Sequence, residues 1–82
     1  MTDVYMQGKE EARAAACKLI AATAAKLLEE EPEDAQHARI TAATVNGLIA
    51  SILIIGGHDE VAHLLRKMTK EYFYKYGFEK AK

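Results

Sequence analysis

His58-Asp59-Glu60-Val61-Ala62-His63 gathers two imidazoles and two carboxylates in one short run, the side chains from which metal sites are built. The zinc-hydrolase pattern H-E-x-x-H needs its histidines four apart, on one helix face, with the glutamate beside them as base. Here they are five apart, so a helix turns them to different sides, and that chemistry is excluded. Glu60 and His63 retain the E-x-x-H unit of di-metal helix bundles, where further glutamates and a second such unit come from other helices. A di-metal site at Glu60 and His63 therefore needs an oligomer, and it ranks last among the readings, because Asp59 and Glu60 also suit a helix cap and a first turn. No cofactor is assigned.

A second cluster lies near the end of the chain. Lys70-Glu71-Tyr72-Phe73-Tyr74-Lys75-Tyr76-Gly77-Phe78 interleaves lysines with five of the six aromatic residues. Cations that neutralise phosphates beside rings that stack on bases describe a nucleotide or single-strand binding surface. The same residues also make a protein-binding patch, since tyrosine supplies a large amphipathic contact area. The protein partner is the preferred reading. Tyr72 and Tyr76 continue an apolar stripe from Met68, and the whole chain carries a net charge of −1. The candidate partner-binding residues are Lys67, Lys70, Tyr74, Lys75 and Phe78.

Charge is distributed unevenly. Residues 1–34 hold eight acids and four bases, a net of −4, whereas residues 61–82 hold six bases and two acids, a net of +4. Solvated helix faces, or head-to-tail complementarity between copies, account for this pattern.

Catalysis finds little footing. Glycine-rich phosphate loops, nucleophile elbows and paired-cysteine metal motifs are missing, and the single cysteine, Cys17, stands in Ala-Ala-Cys-Lys-Leu. An activated thiolate needs exposure and nearby positive charge, so Cys17 reads as buried filler and the chain as a non-enzyme. His37, Thr41, Thr44 and Ser51 form a polar stripe on an otherwise apolar helix. Hydroxyls there can bond to carbonyls of the preceding turn without any ligand.

The elements that carry these residues follow from periodicity. One proline, five glycines at or between periodic segments and few β-branched clusters describe an all-α chain. The expectation is a single domain over 1–82, with helices at about 9–31, 33–55 and 59–76 and a tail at 77–82. The first helix has the option of starting near Thr2. Pro32 fits the first turn of the second helix, Gly56 its left-handed cap, Asp59 the N-cap of the third helix and Gly77 its stop. The two long helices are expected to form an antiparallel hairpin, joined by a shorter amphipathic third helix.

Two helices carry more apolar surface than that arrangement covers. In the second, Ala42, Val45, Ile49, Ile52 and Leu53 line one face, and Ile40, Ala43, Gly47, Ala50 and Ile54 line another. In the first, Ala12, Ala16, Cys17, Leu19, Ile20, Ala21, Ala24, Leu27 and Leu28 span over half the circumference. The third offers one stripe, Val61, Leu64, Leu65, Met68, Tyr72 and Tyr76. Leftover apolar faces of this length become subunit interfaces, so a homodimer or larger helical bundle is expected.

The setting is read as cytoplasmic, from one cysteine and a start, Met1-Thr2-Asp3, unlike a signal peptide. The stretch Ile40–Ile55 is shorter than the ~20 apolar residues of a bilayer span, so no membrane partner is expected. The function expected is non-catalytic: a small homo-oligomeric regulatory, accessory or inhibitor-type protein that binds another protein, of the size phages and mobile elements encode.

Overall fold

A computed structural model describes residues 2–78, with side-chain surroundings for 8–78. It contains three α-helices, α1 (Thr2–Glu29), α2 (Ala35–Ile55) and α3 (Asp59–Tyr76), and no strand among the described residues. Residues 79–82 of the expected tail, with the charges of Glu79, Lys80 and Lys82, lie outside the described residues.

α1 starts at Thr2, well before Lys9, and runs through Gly8 without a break. Its alanines, lysines and glutamates are strong helix formers, and together they outweigh the ~1 kcal/mol that one glycine costs relative to alanine. The helix ends at Glu29, two residues before the expected stop, and residues 30–34 form an irregular connection in which Pro32 stands outside any helix. Asp34 opens α2 instead. Its backbone is extended (φ −155°, ψ 179°) and its carboxylate accepts from the backbone N–H of His37 at 2.7 Å. A side-chain acceptor for an otherwise orphan N–H is a stronger start signal than a proline that merely does no harm.

The turn after α2 needs its glycines. Gly56 and Gly57 have φ of 85° and 83°, and with ψ at 162° Gly56 lies in a region essentially reserved for glycine rather than in the left-handed helical cap. The Gly56 N–H donates to Ile52 O at 3.0 Å and closes the helix. α3 begins at Asp59, but its N-cap is His58, which makes no side-chain cap bond. Asp59 and Glu60 serve as first-turn carboxylates that offset the dipole.

α2 packs against both α1 and α3, and those two touch each other. The core joins Cys17 and Ala24 of α1, Val45, Ile49 and Ile52 of α2, and Ala62 and Leu65 of α3. Ile20, Ala21, Leu27, Leu28, Leu48, Ile55 and Met68 pack half-buried around it. The small Cys17, Ala24 and Ala62 of the outer helices face the larger Val45, Ile49 and Ile52 of α2 across this core. Gly8 to Ala15 of α1 are exposed, while Glu10 and Arg13 lie beside the turn at Gly56–His58.

The two faces of α2 have different fates. Ala42, Val45, Ile49 and Ile52 are buried, while Ile40, Ala43, Gly47, Ala50 and Ile54 are all exposed, Ile54 to 85%. On α3, Leu65 and Tyr72 of the expected stripe are buried, and Val61 and Leu64 are not. Measured as a whole helix of 21 residues, with Ala35–Arg39 counted in, α2 is long and apolar enough to cross a membrane by length and composition. That corrects the shorter estimate made from Ile40–Ile55.

Candidate functional site

The aromatic end of α3 is held by a compact closure. The Gly77 N–H donates to Phe73 O at 2.7 Å, and Arg39 Nη1 of α2 donates to Gly77 O at 2.9 Å. A Cβ on Gly77 would fall 2.6 Å from Phe73 O, so only glycine permits this approach. The chain then returns Phe78 onto α3. Its ring meets Phe73 edge-on at 5.1 Å and stacks on Tyr74 at 6.1 Å with an interplanar angle of 23°. Edge-to-face and offset contacts of this kind suit the ring quadrupoles.

Beside this cluster runs a groove of about 530 Å³ between α2 and α3, lined by Ala42 and Asn46 on one side and Arg66, Thr69, Lys70, Phe73 and Tyr74 on the other. The buried Thr69 hydroxyl donates to Leu65 O at 2.6 Å, so it asks nothing of an occupant. What remains is two cations one helical turn apart, one carboxamide and two rings. Such a lining can take an anionic group on Arg66 and Lys70 and a flat or apolar group against Phe73 and Tyr74.

Of the residues expected from sequence, Lys70 and Tyr74 line the groove, and Phe78 adjoins it through Tyr74 and Phe73. Lys67 and Lys75 are exposed but do not line it. Lys75 Nζ instead sits 5.0 Å over the Tyr76 ring, a cation–π pairing. Arg39, Asn46, Arg66 and Phe73 were not among the expected site residues. Arg39 and Asn46, seven apart, share the flank of α2 roughly opposite the hydroxyl stripe, but their spacing does not say that this flank meets α3.

The other candidate chemistry is not assembled within one chain. Glu60 and His63 are exposed, and among the described residues no three metal-binding side chains come together. Cys17 is a free thiol, 3% exposed and packed in the core. The hydroxyl stripe is mostly satisfied locally. Thr44 Oγ1 donates to Ile40 O at 2.9 Å and Ser51 Oγ to Gly47 O at 3.2 Å. His37 Nδ1 accepts from the Glu33 N–H at 3.0 Å, and Thr41 is buried.

No protein-family model, curated protein or solved structure matches the chain.

Proposed function

We propose that this chain is a non-catalytic, cytoplasmic, self-associating interaction protein of the regulatory, accessory or inhibitor type, whose partner is another protein. The observation that carries the reading is the α2–α3 groove, where Arg66 and Lys70 stand beside Phe73 and Tyr74. Arginine and tyrosine are enriched at the energetic centres of protein interfaces, and a cationic rim steers an acidic partner. Phe78 adjoins the groove through Phe73 and Tyr74, and the exposed Lys67 and Lys75 add positive charge elsewhere on α3. Self-association is supported by the large apolar side chains left in water, among them Leu19 at 70% exposure and Ile54 at 85%, on a chain short enough to leave a large share of its surface in water when folded alone.

The same cations and rings also favour a second reading, a nucleotide or single-stranded nucleic acid held by phosphate contacts and stacking. A Lys70→Glu, Tyr74→Ala variant separates the two. Under the proposal, a single acidic protein is captured from the native host by wild type and lost with the variant, while neither nucleotides nor single strands bind at low salt. Strand or nucleotide binding that weakens steeply with salt would transfer the groove to the second reading.

A further inference from the structure

The face of α2 diametrically opposite the core has the same order of large and small residues in both chain directions. Gly47 is its midpoint. Seven residues before and after it stand Ile40 and Ile54. Four before and four after stand Ala43 and Ser51, and three before and three after stand Thr44 and Ala50. Offsets of three, four and seven residues are those that share one helix face. Isoleucines therefore close both ends of a seam whose centre is small.

We propose that this seam is an antiparallel dimer contact with α2 of a second copy, crossing at Gly47. The inference rests on the self-association reading above and gives it a surface and an orientation. A two-fold axis at Gly47 places Ile40 against Ile54 of the other copy, Ala43 against Ser51, and Thr44 against Ala50, which is the self-complementarity an isologous contact needs.

The surroundings favour a second copy over other occupants. A Cβ at Gly47 would meet nothing within 4 Å, so the approach is open from outside. Ile40 and Ile54 are 58% and 85% exposed, and no charged residue occurs from Ile40 to Ile55, so nothing on this face selects a charged partner. The Thr44 and Ser51 hydroxyls already donate to Ile40 O and Gly47 O and can be covered by alanine without losing a bond. Two helices of this length, ~31 Å each at 1.5 Å per residue, cover on the order of 1,000 Å² along their full contact, the lower bound for a specific interface. A lipid surface is a poorer fit, because membrane-bound faces carry large apolar residues throughout, and here the centre of the face is small.

Charge sets the direction. Five carboxylates lie between residues 29 and 34, at the start of α2. A parallel pair would set both clusters side by side, whereas an antiparallel pair places them at opposite ends and also opposes the helix dipoles.

Single-cysteine variants in a Cys17→Ser background test the geometry under mild oxidation. Gly47→Cys should link to itself. Ile40→Cys and Ile54→Cys should each fail alone, since like positions stand ~21 Å apart at 1.5 Å per residue, yet should link to each other when mixed. Self-linking of Ile40→Cys would overturn the antiparallel assignment. A dimer by sedimentation in which Gly47→Cys does not link, and which survives Gly47→Arg with its helicity intact, would overturn the seam while leaving self-association standing. A wild-type monomer in buffer would overturn both. A monomer that also floats with phosphatidylglycerol vesicles would give the face to lipid.

Discussion

Arg39 and Gly77, 38 residues apart in sequence, are joined by one hydrogen bond of 2.9 Å from the guanidinium to the backbone carbonyl. It fastens the first turns of α2 to the residue that ends α3, and so fixes the aromatic cluster at the mouth of the groove. A charged donor to a part-buried carbonyl contributes ~1.5–3 kcal/mol.

Arg39→Met, which keeps much of the stem and removes the donor from a bond that is only part-buried, is expected to lower stability by about 1.5–2 kcal/mol, the low end of that range, and the melting temperature by ~4–8 °C for each kcal/mol in a domain of this size. Near-ultraviolet circular dichroism should fall with it, because Tyr74 loses the ring of Phe78. An unchanged melt with an unchanged aromatic signal would remove the bond from the account.

Two isoleucines one half-turn apart in α2 make opposite predictions. Ile52 is fully buried and Ile54 is 85% exposed. Ile52→Ala should cost ~2–5 kcal/mol through lost burial and a cavity, a large part of a typical 5–15 kcal/mol total. Ile54→Ala should leave the unfolding of an isolated chain within ~0.5 kcal/mol and weaken self-association instead. Urea melts at two protein concentrations separate these effects.

The helix ends offer a smaller pair. Asp34→Ala removes the side-chain acceptor of the His37 N–H and should cost ~1 kcal/mol. Gly8→Ala, within α1 and with nothing within 4 Å of the added methyl, should gain up to ~1 kcal/mol. Thermal melts followed by helical circular dichroism read both.

Reversing charge in the groove tests function apart from fold. Lys70 and Tyr74 are exposed, so Lys70→Glu and Tyr74→Ala should each leave stability within ~0.5 kcal/mol. Each should still weaken partner capture by at least tenfold. Retention of the partner by both folded variants would place the binding surface elsewhere.

Much of this was legible in the sequence, and the exceptions have physical causes. The span of α3 was readable because the Gly56-Gly57 break, Gly77 and a single apolar stripe agree, although the cap is His58 and not Asp59. The start of α2 was misplaced because proline at position 32 and aspartate at position 34 compete for the same role, and the hydrogen bond to His37 decides between them. The start of α1 was obscured by one glycine that cooperative helix formation absorbs. Of the groove, Lys70, Tyr74 and Phe78 could be named from composition. Asn46, Arg66 and the Arg39–Gly77 bond could not, because they depend on which flank of α2 meets α3, and side-chain periodicity in α2 leaves two faces equally apolar.

The molar mass of the full chain in solution, by light scattering across a range of micromolar concentrations, tests the central claim of self-association most directly. Self-association gives a mass approaching at least twice the 9.1 kDa of one chain, falling toward the monomer on dilution and with Gly47→Arg. A constant 9.1 kDa at every concentration would contradict it.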